Sequence, residues 1–314
     1  MNKDLIELIK HEPNFVRLKN NISRTSHAHL VVCPDLLFSS LFCKELIKEI
    51  LTNNNLSNLA QKIDSGAYVD IQEINGVELN SIKVLDIEPI IEKSNETGIE
   101  SDFKFYIISG AEKLTPEAQN KLLKTLEEPN KSQFYFLCTS SRFLLLPTIV
   151  SRCNVIEIGE INKKEIESIL LANGVERIKA QDDAELSLGS YTKATESQTN
   201  SDAFCVALNA LTQITSSAVA ATWATALAKS NLPQVTTYLE YLLLDAIKLK
   251  YDETNIWFEN YREKLIKLKT CSLSGILMIY NQIQKIKELL KVNVSQVVIA
   301  DKIALSIAEG KNKK

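Results

Sequence analysis

Glycine is scarce in this 314-residue chain, with nine residues at positions 66, 76, 98, 110, 159, 174, 189, 275 and 310. No two are spaced as in G-x-G-x-x-G or G-x-x-x-x-G-K, so the chain has no glycine-built cradle for phosphate. Histidine is scarcer still, with residues at 11, 27 and 29 only. Without H-E-x-x-H, and without a separated His, Asp and Ser in triad order, metalloprotease and hydrolase-triad chemistry drop out. The six cysteines, at 33, 43, 138, 153, 205 and 271, include no C-x-x-C pair. That spacing excludes the usual structural zinc site and reads as reduced thiols in a cytosolic protein. The longest run of small apolar residues, 218–228, is broken by Thr222 and Thr225 and is too short for a bilayer span. Residues 1–10 carry Lys3, Asp4, Glu7 and Lys10, the pattern of an amphipathic helix and not of a signal peptide. A cytoplasmic location with no membrane partner is therefore expected. Neither sign of charge dominates, since 36 Lys and Arg face 39 Asp and Glu for a net charge of −3. Such a chain does not coat nucleic acid unaided, and any DNA contact is local or shared with partners.

What is present is the composition of a soluble globular protein, 45% hydrophobic and 24% charged, long enough for two or three domains. Six of the seven prolines precede residue 150, and there short apolar runs at 29–33, 68–71, 103–109, 134–139 and 155–158 alternate with helical patterns. Among the latter, 39–51 places Leu41, Phe42, Leu46, Ile47, Ile50 and Leu51 on one face. The 115–128 pattern starts with Thr115 as N-cap and Pro116 at the first helical position, and stops at Pro129. The alternation predicts a parallel α/β sheet with buried strands over residues 1–160. Short helices at 162–173 and 182–188, ended by Gly174 and Gly189, make a small helical module over 161–201. Apolar periodicity at 203–229, 233–250, 254–269, 273–291 and 294–308, with breaks at Pro233, Asp252 and Gly275, predicts a helical bundle over 202–314. Residues 310–314 (GKNKK) read as a frayed basic tail.

Residues 106–129 read YIISGAEKLTPEAQNKLLKTLEEP, and 134–153 read FYFLCTSSRFLLLPTIVSRC. These stretches resemble the clamp-loader branch of the AAA+ ATPases. In that family a strand ending in Asp-Glu-Ala-Asp leads to a helix with L-L-K-T-L-E-E-P, then a sensor strand, then L-P-T-I-x-S-R-C. Residues 122–129 and 151–153 match outright. The resemblance covers the first 160 or so residues. It extends through 186–195 (LSLGSYTKAT), similar to the lid segment with the sensor 2 residue, and 293–305 is similar to the final collar helix. It implies a degenerate AAA+ type P-loop NTPase fold, a parallel sheet with flanking helices, followed by a small helical lid and a helical collar that oligomerises.

The departures from the family bear on mechanism. Aligning the first strand puts the phosphate loop at 33–40 (CPDLLFSS), where Cys33 replaces the first Gly, Phe38 the second and Ser39 the Lys, followed by Ser40. The acidic pair after the third strand is replaced by Ser109 and Gly110, with Glu112 three places late. Without close-approaching backbone N–H groups, a lysine or those carboxylates, neither phosphate charge nor Mg²⁺ is held. The expectation is no ATP hydrolysis by this chain alone, no cofactor and no metal. The family's zinc-binding cysteine insertion is also missing, since 53–70 contains no Cys. Arg152, within Ser151-Arg152-Cys153, matches the arginine finger that reaches the γ-phosphate bound by an adjacent motor subunit. Thr139 and Ser140 match sensor 1, and Lys193 stands at the sensor 2 arginine. Lys124, Glu127 and Glu128 share a polar helix face, read either as solvated charge or as a subunit contact. His27 and His29 are expected to pack near the first strand, and Cys33 and Cys153 to be buried thiols.

By resemblance the chain is a non-hydrolysing subunit of a five-membered ring with three motor subunits (gamma/tau) and one delta subunit. That ring sets the sliding clamp on primed DNA. The chain is then no enzyme alone but part of a DNA-directed DNA polymerase holoenzyme. Two other readings stand beside this one. A stand-alone DNA-binding module is disfavoured by the net charge of −3. An active ATPase with an atypical P-loop is disfavoured by Ser39, Ser109 and Gly110.

Overall fold

The computed structural model describes all residues except 1, 21–25, 52–57, 77–78, 93–97, 129–131, 291–293 and 314. Pro129, expected to stop a helix, and Asn293, at the expected start of the last one, lie outside the described residues. The chain divides into two compact units, residues 1–175 with 189–192, and residues 176–188 with 193–314.

The first unit is built on five parallel strands: β1 (Ala28–Val32), β2 (Ile71–Asn75), β3 (Lys104–Ser109), β4 (Gln133–Thr139) and β5 (Asn154–Glu157), in the order β2-β3-β4-β1-β5. Every residue of β3 and β4 is buried, which is why KFYIIS and QFYFLCT are near-continuous apolar runs instead of alternating ones. Alternation survives in the side to which each residue points. Tyr106 pairs in register with Tyr135 and stacks on it at 4.9 Å between centroids, in a core shared with Leu30, Leu122, Leu126 and Ile149. On the other face Phe105 stacks on Phe134 at 5.6 Å and His29 on Phe136 at 5.3 Å. Each fully buried side chain of this size contributes roughly 2–3 kcal/mol.

Helices cover both faces. Before the sheet come α1 (Asn2–His11) and α2 (Pro13–Lys19); α3 (Leu36–Leu51) follows β1, α4 (Leu59–Asp64) follows α3, and α5 (Val84–Glu92) follows β2. After β3 comes α6 (Pro116–Glu127), where Thr115 Oγ1 accepts from Ala118 N at 3.2 Å as expected of an N-cap. The one-turn α7 (Pro147–Val150) separates β4 from β5, and α8 (Lys163–Ala172) follows β5. Two expectations shift. Helix α3 begins three residues before the expected 39, because Asp35 Oδ1 accepts from Phe38 N at 3.0 Å and caps it there. The second strand is 71–75, not 68–71. Tyr68 is buried in the preceding turn, and the edge strand needs only Ile71 and Ile74, so its apolar signal is weak.

The second unit is helical: α9 (Arg177–Leu186), most of α10 (Tyr191–Thr195), α11 (Ser197–Gln213), α12 (Ser217–Ala228), α13 (Leu232–Lys250), α14 (Arg262–Ile266), α15 (Leu273–Leu289) and α16 (Gln296–Asn312). Helices α11, α12, α13, α15 and α16 share one apolar core. The periodic stretch 203–229 is two helices, since Ile214 turns extended and Ser216 Oγ accepts from Val219 N to cap α12. The stretch 254–269 is no single helix, because buried Asp245 draws the N–H groups of Trp257 and Phe258 to its carboxylate at 2.9 and 2.8 Å. Gly275, expected as a break, lies inside α15. A Cβ there would sit 2.1 Å from the Gly310 carbonyl oxygen, so its role is close helix packing. The C-terminal residues up to 312 are not frayed: Gly310 is buried and Lys311 Nζ donates to Thr212 O at 3.2 Å. Among the described residues no helix is long and apolar enough to cross a membrane.

Candidate functional site

The loop between β1 and α3, expected from the sequence as the phosphate loop, lies at the carboxyl end of an inner strand and the head of a helix. Cys33 N donates to Thr139 O at 2.9 Å, extending the ladder, and burial pushes its thiol up to about 12. Phe38 is buried and lines a cavity of about 270 Å³ with Leu8, Pro13, Ile158 and Gly159. Ser39 is fully buried, its Oγ donating to Leu36 O at 2.9 Å, and Ser40 Oγ donates to Glu73 Oε1 at 2.8 Å. Lys44 pairs with the other Glu73 oxygen at 2.7 Å. The four residues expected at this loop are thus brought together, and each is engaged inside the fold.

The residue that organises this loop is one that sequence reasoning passed over. Asp35 is 2% exposed, and its carboxylate accepts from Phe38 N at 3.0 Å, Thr192 N at 2.8 Å, Thr192 Oγ1 at 2.9 Å and Ser190 Oγ at 3.1 Å. An Asp directly before the apolar run Leu36-Leu37-Phe38 is an N-cap signal that was available in the sequence.

At the end of β3, Ser109 is buried and Gly110 turns the chain with φ of 71°. Gly76 comes so close that a Cβ there would sit 2.3 Å from Ser109 O. Glu112, expected as the displaced acid, accepts from Ser140 Oγ at 2.9 Å, which ties it to the residue just after β4. The neighbouring Thr139 Oγ1 donates to Ser141 O at 3.1 Å. Among the described residues no group of three or more His, Cys, Asp or Glu is placed to hold a metal ion. Lys193 falls in the second unit, where it lines a cavity of about 180 Å³ with Leu188, Asn200 and Tyr238.

Ser151, Arg152 and Cys153 form the turn after α7. Ser151 N donates to Pro147 O at 2.9 Å and Arg152 N to Ile149 O at 3.1 Å. Cys153 is half-buried, and burial raises its thiol to about 12. The Arg152 side chain is about one-third exposed. Its Nε donates to Glu127 Oε1 at 2.7 Å, a second guanidinium nitrogen pairs with the same oxygen, and Nη1 donates to Thr148 O at 2.9 Å. Glu127, read from the sequence either as solvated charge or as a subunit contact, is exposed and paired with Arg152 of its own chain.

Strand order, flanking helices and the strand–loop–helix at 28–51 make a parallel α/β domain, followed in sequence by a helical region. Over roughly its first half the chain is similar to subunits of DNA polymerase III. A family model described as "DNA polymerase III, delta subunit" matches residues 12–162. DNA polymerase III subunit delta' of Bacillus subtilis is 35% identical over 185 residues, 55% of this chain and 54% of that protein. Subunit delta' of Haemophilus influenzae is 35% identical over 97 residues, 31% of this chain and 29% of that protein. DNA polymerase III subunit gamma of Buchnera aphidicola (subsp. Acyrthosiphon pisum) is 27% identical over 157 residues, 48% of this chain and 43% of that protein. The chain spans about half, or less, of the length of the curated relatives it matches.

Proposed function

We propose that this chain is the non-hydrolysing delta prime subunit of a clamp loader, working in a ring with gamma/tau motor subunits and a delta subunit to place the sliding clamp on primed DNA. Its parts are an α/β domain over 1–160, a lid over 161–201 and a collar over 202–314. The observation that carries the reading is the state of the loop at 33–40. No ammonium is offered there, since the eight residues contain no Lys or Arg, and the head of α3 is taken by the Asp35 carboxylate. A triphosphate brought to that seat meets a buried negative charge instead of free N–H groups. Ser109 and Gly110 supply no carboxylate for Mg²⁺, and Glu112 is engaged by Ser140.

What the domain keeps is the part that serves a neighbour. Arg152 is partly exposed on a short turn, always charged and planar, and suited to a phosphate presented from outside the chain. The test is ATP turnover by the reconstituted loader with clamp and primed DNA, wild type against Arg152→Ala. Loss of a trans finger lowers turnover by roughly a thousandfold at the site it serves, with the ring still assembled. Unchanged turnover, or Mg²⁺-dependent hydrolysis by the purified chain alone, would refute the proposal.

A further inference from the structure

Asp35 is a buried carboxylate, and such a group is costly in a fold unless donors meet it. It is met by four, and they come from two places far apart in the chain. Oδ1 accepts from Phe38 N, three residues on, and from Thr192 Oγ1; Oδ2 accepts from Ser190 Oγ and Thr192 N, 155 and 157 residues on. The capping of α3 uses one of these four bonds. The other three hold residues 189–192, an excursion of the chain into the first unit between two stretches of the second.

The same short segment is fitted to the first unit at its other end. Gly189 has φ of 76°, and a Cβ on it would meet Glu160 Cβ at 2.4 Å. Ile161 N donates to Gly189 O at 2.9 Å. Segment 189–192 therefore rests on the β5–α8 connection at one end and on Asp35 at the other. The head of a 16-residue helix behind a parallel strand is an anion seat by its backbone dipoles and unpaired N–H groups. Here the anion belongs to the loop itself.

We propose that Asp35 is a built-in substitute for a bound phosphate, a latch that keeps residues 189–192 docked on the α/β unit in the presence and in the absence of nucleotide. The inference rests on the reading of 33–40 as a phosphate loop without nucleotide and goes beyond it. The head of α3 thus has a permanent internal anion, with a second segment of chain held on it.

A plain N-cap and a latch are separable. In Asp35→Ser the hydroxyl still caps α3 but is too short to reach Ser190 and Thr192. Amide hydrogen exchange read by mass spectrometry on the full chain is expected to rise at least tenfold over 189–192, with residues 38–40 protected as in wild type. Thr192→Val approaches from the other side, removing the Oγ1 donor without touching α3, and is expected to raise exchange over the same segment. Addition of millimolar Mg-ATP leaves wild-type exchange at 189–192 unchanged. Wild-type exchange at 189–192 in both variants overturns the latch and leaves the proposed function standing. Calorimetric ATP binding by the wild-type chain, with altered exchange at 189–192, overturns both.

Discussion

Glu127 and Arg152, 25 residues apart, meet through a single oxygen: Glu127 Oε1 accepts from Arg152 Nε at 2.7 Å and from a second nitrogen of the same guanidinium. With Nη1 donating to Thr148 O and Ser151 Oγ, at 2.9 and 3.4 Å, the fork is held on two sides. As a half-exposed ion pair this contributes about 1 kcal/mol or less to stability. Its effect on aim is larger. Glu127→Ala is expected to shift the melting temperature by no more than a degree or two and, if Arg152 is a finger, to lower loader kcat roughly tenfold through misplacement of the fork. Arg152→Lys, which keeps the charge and loses the fork, is expected to fall further. A Glu127→Ala loader with wild-type kcat would show that the pair does not aim the guanidinium.

His29 gives the first unit an acid-side weakness. It is fully buried on β1, and burial lowers its pKa from 6.5 to about 4, against a backbone hydrogen bond at Ser26 and with a small push from His27. The unfolded chain therefore takes up a proton that the fold refuses. The contribution is complete above pH 6.5, is lost progressively as pH falls toward 4, and is constant below that. Its size is on the order of 3 kcal/mol. Urea unfolding of the wild type is expected to weaken from pH 7 to 4, and His29→Gln to flatten the part of that slope above pH 5. Parallel slopes in the two proteins would remove His29 as the cause.

The α15–α16 contact fixes what Gly310 tolerates. Alanine ordinarily stabilises a helix over glycine by about 1 kcal/mol, but here its Cβ would lie 2.2 Å from Ile279 Cγ1 and 2.8 Å from Gly275 O. Overpacking wins, and Gly310→Ala is expected to destabilise by roughly 1–3 kcal/mol in thermal melting. Gly159→Ala, where nothing lies within 4 Å, is expected to be nearly neutral. Equal melting temperatures for the two variants would mean that the helices part easily.

The thiols sort by burial. Cys43 and Cys138 are fully buried with sulfurs 3.6 Å apart, and burial drives the Cys43 thiol well above its ordinary range. Cys33 and Cys153 are raised to about 12, while Cys205 is exposed. Thiolate is the reactive form, so a maleimide at pH 7.5 is expected to label Cys205 first and Cys33, Cys43 and Cys138 only after unfolding. Rapid native labelling of Cys43 would mean that α3 opens from the sheet.

Local chemistry carried most of the fold in the sequence. Thr115-Pro116 announced α6, and the continuous runs at 104–109 and 133–139 announced strands buried on both faces. The strand at 71–75 was misplaced because an edge strand half open to solvent carries polar residues such as Gln72 and Glu73. Residues 33–40 were legible as a strand-to-helix junction, since β1 ends at Val32 and α3 begins at Leu36. Asp35 was not, because its meaning lies in Ser190 and Thr192, and no local pattern links residues 155 positions apart. Glu127 was left open for the same reason: its partner lies across a strand in another element.

Arg152 stands on a fixed pivot. Its backbone N–H is tied to Ile149 O, Ile149 is fully buried, and the residue before Pro147 is pinned by Leu146 N donating to the buried Gln119 Oε1 at 2.8 Å. A guanidinium mounted so firmly has little swing of its own. Its position is therefore set by the backbone and by Glu127 more than by its own rotamers, so the cation is held at one place on the surface of the first unit.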